Sequence, residues 1–464
     1  MLRFCALLAS ACCLFVAVSG SALAGQAATE KSGMQALLEM MVSKGMITDS
    51  EAEGLLRISE KGASTAESPP IRKESSSEWA DRLKWSGDMR LRYQGDYYDD
   101  GNTILIEPGT GDEVVNTTRD RHRLRYRARL GLSATVNERW RAAFRLATGN
   151  DNDPVSTNDT LGDNYNKDSI LFDQAYLEWK PTALFTLTGG RIPNPWFSTD
   201  LVWDRDLNFE GLAVNYRQAL APWLSLFATA GAFPLEEVEW SSQDKWLYGA
   251  QIGARVGSAK SVSAQLGAAY YYYDNIAGER YDPTDADIDK DYTAPGFLQK
   301  GNTLMDINEG EAYEAGLAAE FEELDILATV DVGFWDPVHM VFLGEYVTNL
   351  GFDRDEVSRR YGEEVPDVDT GYMFGMALGH PAVNDLGKWN VFLFYKHLEA
   401  DAVLDAFTDS DFRLGGTNAK GWVLGTEFGL AHNVWLTGKW QSADEIDGPP
   451  HAVDVLQVDL NAKF

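Results

Sequence analysis

The sequence predicts an all-β fold: a transmembrane antiparallel β-barrel of about sixteen strands, preceded by a short N-terminal helical segment. Three observations carry this. From Lys84 to Phe464 apolar and polar residues alternate with period two, which in a strand places them on opposite faces. Long polar connections and short tight ones interleave along the same stretch. The chain opens with an export signal, yet beyond it has no apolar run of about 18 residues that would form a transmembrane helix.

The elements follow in order. Arg3 supplies a positive n-region, Phe4 to Val18 is uncharged and apolar, and Ala22-Leu23-Ala24 is a small-residue cleavage site, so residues 1–24 read as a signal peptide. The run is short for a membrane anchor. A lipoprotein using Cys12 or Cys13 is disfavoured because much of the apolar run follows those residues. Cys5, Cys12 and Cys13 are the only cysteines, so the mature chain has no disulfide, thiol nucleophile or cysteine-ligated metal. Residues 25–61 read as a periplasmic helical segment. Met34, Leu37, Leu38, Met41 and Val42 recur at helical spacing, Gly45 ends that helix, and Thr48-Asp49-Ser50-Glu51 is a capping box for a second one. Residues 62–83 are a polar linker containing Pro69-Pro70.

The barrel is expected over 84–464. Its first strand sets Trp85, Met89, Leu91 and Tyr93 against Asp88, Arg90, Arg92 and Gln94. The second sets Leu124, Tyr126, Ala128 and Leu130 against Arg125, Arg127 and Arg129, and the third sets Trp140, Ala142, Phe144 and Leu146 against Arg141 and Arg145. The same rhythm returns at Val262 to Tyr270 and Trp422 to Phe428, and the chain closes on Leu456, Val458, Leu460, Ala462 and Phe464. Long connections fall near 98–121, 150–168, 193–207, 234–245, 274–310, 350–370, 400–419 and 443–451. Short ones include Val136 to Arg139, Lys180-Pro181-Thr182, Asp336-Pro337 and Ala431-His432-Asn433. Glu311 to Phe334 is ambiguous: one long strand with a parity break near Glu323, or two strands and a turn. A soluble sandwich or propeller would also alternate. Against it stand the charged second face and the aromatics crowding strand ends, such as Trp85, Trp140, Trp179, Trp223 and Trp440.

The net charge is −31, and removing the signal takes away only Arg3. Such acidity excludes a phosphate-binding nucleic-acid partner and a basic surface helix. The 14 Trp, 19 Tyr and 21 Phe argue for an ordered chain.

Phe172-Asp173-Gln174-Ala175-Tyr176-Leu177-Glu178-Trp179-Lys180-Pro181 and Gly190-Arg191-Ile192-Pro193-Asn194-Pro195 resemble the bacterial putative porin family. So do Asp206 to Leu212, Asp401-Ala402-Val403, Ser410-Asp411-Phe412 and Gly415 to Gly421. The resemblance covers most of the chain after Trp85. It implies passive diffusion of small hydrophilic solutes or ions through an outer-membrane barrel surrounded by lipid, and a homotrimer. It also implies recognition of Phe464 by the outer-membrane assembly machinery. No particular solute follows from it.

A barrel of about sixteen strands encloses water unless plugged, and charged side chains then set its selectivity. The expected lining is a basic wall of Arg90, Arg92, Arg125, Arg127, Arg129, Arg141 and Arg145, opposed by Glu314, Glu320, Asp331, Glu345 and Glu427, which would set a transverse field. By resemblance, the segment from Pro193 to Leu207 folds inward after the fifth strand, turning Asp200, Asp204 and Asp206 toward the arginines. The acidic stretch Asp285 to Asp291 lacks the ordered ligands and glycine of a calcium loop. The six histidines form no metal pair, and neither a G-x-S-x-G elbow nor a P-loop occurs. No cofactor, metal site or catalytic residue is expected. A non-conducting structural or adhesive barrel is the main alternative, and an outer-membrane hydrolase a weaker one.

Overall fold

The computed structural model describes residues 80–104, 116–239, 243–258, 261–282, 291–310 and 313–464. The expected signal, the helical segment and residues 62–79 of the linker lie outside the described residues, as does most of the acidic stretch at 285–291. A single 3-10 turn, Ala80–Arg82, leads into the first strand one residue before the expected start.

Sixteen long strands form one antiparallel sheet. They are β1 Leu83–Tyr98, β2 Arg121–Thr135, β3 Trp140–Ala147, β4 Leu171–Trp179, β5 Phe185–Pro193, β6 Asn208–Ala221, β7 Leu224–Glu236, β8 Lys245–Gly257, β9 Val262–Asp274, β10 Glu322–Trp335, β11 Val338–Asn349, β12 Thr370–Gly379, β13 Trp389–Leu398, β14 Ala419–Ala431, β15 Val434–Glu445 and β16 Val453–Lys463. Each pairs with its sequence neighbour, and β1 also pairs with β16 from Asp88↔Lys463 to Tyr98↔Val453, so the sheet closes. Closure leaves no unpaired edge, the condition for placing strands in hydrocarbon. A two-residue strand, Asp159–Thr160, adds to β2. The one α-helix among the described residues, α1 Arg354–Tyr361, lies between β11 and β12, with Asp353 accepting from the Asp355 and Glu356 amides at its start.

The period-two rhythm reads directly onto the wall. On β1, Met89 and Leu91 are exposed outward while Arg92 is buried and Arg90 half-buried inside. Outward aromatics gather at both rims: Trp85, Trp140, Trp223 and Trp335 near the short turns, and Tyr248, Tyr270, Tyr272 and Trp422 near the long loops. Amphipathic rings favour such interfacial positions. At closure, the Gly87 and Phe464 backbones exchange hydrogen bonds of 2.8 and 2.9 Å.

The segment from Glu311 to Phe334 is not one strand. Ala315–Leu317 pairs with Leu304–Asp306 in a separate two-stranded sheet of the long connection, and the wall resumes only at Glu322. The parity break near Glu323 is this change of sheet.

Two glycines face each other where β5 and β6 border the loop that follows β5. Gly190 and Gly211 have φ of 119° and 139°, and an added Cβ would lie 2.3 Å from the Ala175 and Ala232 carbonyl oxygens. Gly190→Val is therefore expected to destabilise the barrel by roughly 1 kcal/mol or more. Thermal loss of strand circular dichroism in detergent measures this, and an unchanged transition would contradict it.

Candidate functional site

The lumen is not an empty cylinder. Long connections fold into it, and the first to describe is the expected one after β5. Gln251 of β8 grips its root, accepting from the Phe197 amide and donating to the Phe197 carbonyl, both at 2.8 Å. The chain then reaches Glu345 on β11, to which the Thr199 hydroxyl donates. Asp200 pairs with Lys396 on β13 at 2.8 Å. The chain returns to β2, where Asp206 lies 3.3 Å from Arg127 and 3.1 Å from Arg129. Apolar burial fixes this path: Leu201, Val202 and Trp203 are almost fully buried, and Trp203 packs edge-on against Phe209 and Tyr271 at 4.9 and 5.1 Å.

The connection after β13 folds in as well. Asp409 takes Lys396 at 2.6 Å, and Asp411 takes Arg92 at 3.0 Å and Lys439 at 3.1 Å. It joins the first loop through the Asp204 amide, which donates to the Phe407 carbonyl at 2.8 Å, and the Ser410 amide, which donates to the Asp204 carboxylate at 2.9 Å. The third piece comes from the connection after β3: the Thr157 hydroxyl donates to Asp206 at 2.9 Å, and Val155 is buried in the shared core.

The three loop aspartates differ in charge state for physical reasons. Burial opposes ionisation of Asp200 and Asp206. Lys396 with Arg205 in the one case, and Arg127 with Arg129 in the other, outweigh it and hold both carboxyls below the usual range. Asp204 has no cation within ion-pair distance among the described residues; burial and the neighbouring Asp206 and Asp409 push it well above that range. Asp411, facing Arg92 and Lys439 against the same burial, is held well below.

All seven expected arginines lie on the lumen side. They do not form a bare wall. Arg92 chelates Asp459 at 2.8 and 2.9 Å, Arg127 and Arg129 share Asp88, Arg141 takes Glu178 at 2.8 Å and Arg145 takes Asp173. Arg90 bonds Asn158 and stands 4.0 Å from Asp459, while Arg125 donates to Gln94 at 3.3 Å and has no carboxylate within ion-pair distance among the described residues. The expected separation into positive and negative walls is thus corrected. Acids are interleaved with the arginines, because unpaired guanidiniums so close together are costly and the inward loops carry aspartates to them.

Of the expected acids, Glu345 sits under Thr199, Asp331 meets His339 Nδ1 at 2.7 Å near the short turns, and Glu427 faces the lumen. Glu314 and Glu320 do not lie on a wall strand. Glu314 belongs to the long connection, accepting from the Tyr281 hydroxyl, and Glu320 precedes β10. Glu323 and Asp325 face inward on β10 instead, both fully buried.

Sequence reasoning did not place Arg205, Lys396, Asp409, Asp411 or Lys439 in the lumen. Arg205 points into open lumen with its side chain 83% exposed, tethered by Asp200 at 3.1 Å. It borders two cavities of about 310 and 230 Å³ that share Asp200, Phe392, Asp409 and Lys439. These two cavities are therefore lined by cations and acids in near balance.

The family model described as Putative porin matches residues 71–464. Among solved structures, the chain is similar to OprB of Pseudomonas putida in its high-pH structure, at 11% identity, TM-score 0.50, covering 84% of this chain and 96% of that one. It is also similar to Salmonella typhi OmpF in complex with daunomycin, at 11% identity and TM-score 0.44 over 82% and 97% of the two chains. The outer membrane channel DcaP of Acinetobacter baumannii matches at 11% identity and TM-score 0.43, again over 82% and 97%. No curated protein sequence matches the chain. At 11% identity the likeness to OprB is one of fold, whereas the family match runs through the whole described barrel to its last residue: the chain belongs to the Putative porin family.

Proposed function

We propose that the protein is an outer-membrane porin through which small hydrophilic solutes or ions diffuse passively. The observation that carries this reading is the closed sixteen-strand wall, apolar and aromatic-rimmed outside, with an exposed charged side chain, Arg205, and water-accessible cavities inside. Asp200, Arg205 and Asp206, with Asp409 and Lys439, are its proposed narrowing; Arg90, Arg92 and Arg127 line the cavity beside them. No bond is made or broken. The solute exchanges part of its hydration for side-chain hydrogen bonds and meets little net charge.

One observation favours a non-conducting barrel as a second reading: the inward loops share an apolar core of Trp203, Leu201, Val202 and Leu404, joined by Phe321 of the connection after β9, that occupies part of the interior. Planar-bilayer recording of the purified full-length protein decides between the two. Stepwise open-channel currents are expected; a pure, folded protein that inserts without current would sink the channel reading.

A further inference from the structure

Below the root of the first inward loop, toward the short-turn end, lies another lumen compartment, a cavity of about 330 Å³ against β6 to β9. Its roof is Pro195, Trp196 and Phe197, held by Gln251 as above and by Asn215, whose amide donates to the Pro195 carbonyl at 3.3 Å. Phe197 and Phe227 meet there edge to face with centroids 5.8 Å apart. Two guanidiniums enter it, Arg217 from β6 and Arg255 from β8, both exposed, and no carboxylate lines it. Neither arginine has an ion-pair partner among the described residues, unlike Arg92, Arg127, Arg129, Arg141 and Arg145.

The neighbouring cavity, about 480 Å³, shares Arg217 and adds Arg141 and Lys180. Its one acid, Glu178, is already divided between those two cations at 2.8 and 3.1 Å. The short-turn side of the lumen against β3 to β9 is therefore positive where the narrowing is balanced. Low-dielectric walls concentrate such a field, and a guanidinium fork fits a carboxylate with two parallel hydrogen bonds. Register sets the spacing. Arg217 lies opposite Phe227 and Arg255 opposite Ser225, so the two arginines are separated by one intervening strand and one pleat, about 10 Å across the sheet. Side chains of that length, both directed into one cavity, can hold the two ends of one small molecule.

We infer that this compartment is a binding site for small organic dianions, with Arg217 and Arg255 each taking one anionic end and the Phe197–Phe227 pair covering the hydrocarbon between. The inference rests on the channel reading. A near-neutral narrowing admits the dianion without attracting it, and the basic compartment beneath supplies the attraction on one side only. Binding there is expected to be weak enough for release, as conduction requires.

The test uses the full-length protein in planar bilayers in dilute KCl, with succinate as the probe and succinamide as its uncharged counterpart. Succinate is expected to reduce the open-channel current saturably, more so from the short-turn side, and succinamide to leave it unchanged. Arg217→Gln with Arg255→Gln is expected to raise the half-blocking succinate concentration at least tenfold; both residues face open lumen, so strand circular dichroism should be retained. Arg217→Lys with Arg255→Lys, which keeps the charge, is expected to recover part of the block. Equal block by succinamide, or succinate block that survives the double glutamine variant, would overturn the inference. An absence of any channel current would instead remove the porin reading, so the two failures are told apart.

Discussion

Replacing Lys396 by methionine is expected to cost the folded protein about 3–5 kcal/mol and to loosen its narrowing. The Lys396 ammonium is buried on β13 and lies between two carboxylates delivered by different loops, Asp200 at 2.8 Å and Asp409 at 2.6 Å. Lys396→Met preserves the length of the side chain but leaves Asp200 with Arg205 alone, and Asp409 with no cation within ion-pair distance among the described residues. Two acids in a poorly hydrated site then repel each other. The loops move apart or a carboxyl takes up a proton.

The pH dependence follows with a definite sign. In the native protein burial works against the charge on Asp200, but Lys396 and Arg205 hold its carboxyl below its ordinary value of 3.8. Its stabilisation is therefore present above that value and lost as pH falls through the lower folded one. In Lys396→Met, Arg205 is the ion-pair partner left to offset the burial of Asp200 and its repulsion with Asp409, so acidification from pH 7 toward 4 should stabilise the variant relative to its own neutral state. Thermal unfolding at several pH values measures the first effect, and single-channel conductance, expected to be larger and noisier, measures the second. Lys396→Arg should restore both. A Lys396→Met barrel with native transition temperature and native current would show that the ion triad does not hold the loop.

The strand wall was legible because each strand reports on itself. Met89 and Leu91 against Arg90 and Arg92 is a local pattern, and the lipid-facing and lumen-facing sides need nothing else to declare them. Where alternation misled, a second sheet had borrowed it. Ala315–Leu317 is extended like any strand, yet its partner is Leu304–Asp306, and no periodicity names a partner. The narrowing was half legible. Arginines on successive strands had to become neighbours, but their neutralisation depends on contacts between distant positions. Arg92 meets Asp411 across 319 residues, and Ser410 meets Asp204 across 206. The inward bend after β5 came from family resemblance. The matching bend after β13 had no such guide, so Lys396, Asp409 and Lys439 passed as ordinary strand and loop charges. Arg217 and Arg255 escaped for the opposite reason: they matter because acids are missing around them, and a sequence does not display a missing neighbour.

Asp206→Asn is expected to shift the channel toward anions, and the reason lies in how the arginine ladder is neutralised. Arg127 and Arg129 share two carboxylates, Asp88 from the adjoining strand and Asp206 from the inward loop, so the four groups cancel. Asparagine keeps nearly the same shape and an oxygen for the Thr157 hydroxyl, whose bond to Asp206 is 2.9 Å, so the loop should stay in place. One positive charge is then uncovered beside the 230 Å³ cavity. At about 6 Å from a passing ion, and with a dielectric between that of water and that of a protein surface, one unit charge is worth roughly 1 kcal/mol, about a fivefold gain for an anion and a fivefold loss for a cation, or roughly a 25-fold change in the anion-to-cation permeability ratio. Reversal potentials under a KCl gradient measure that ratio. The shift should shrink near 1 M salt, where the Debye length falls to about 3 Å. Removing the cations instead, by Arg127→Gln with Arg129→Gln, leaves Asp88 and Asp206 uncompensated and should move selectivity the other way. A bare arginine wall predicts that the same pair of glutamines merely abolishes an anion preference, and that Asp206→Asn does little. Opposite displacements from a nearly unselective native channel are what a balanced ladder requires; identical reversal potentials in all three proteins would mean that ions do not pass within reach of Asp206.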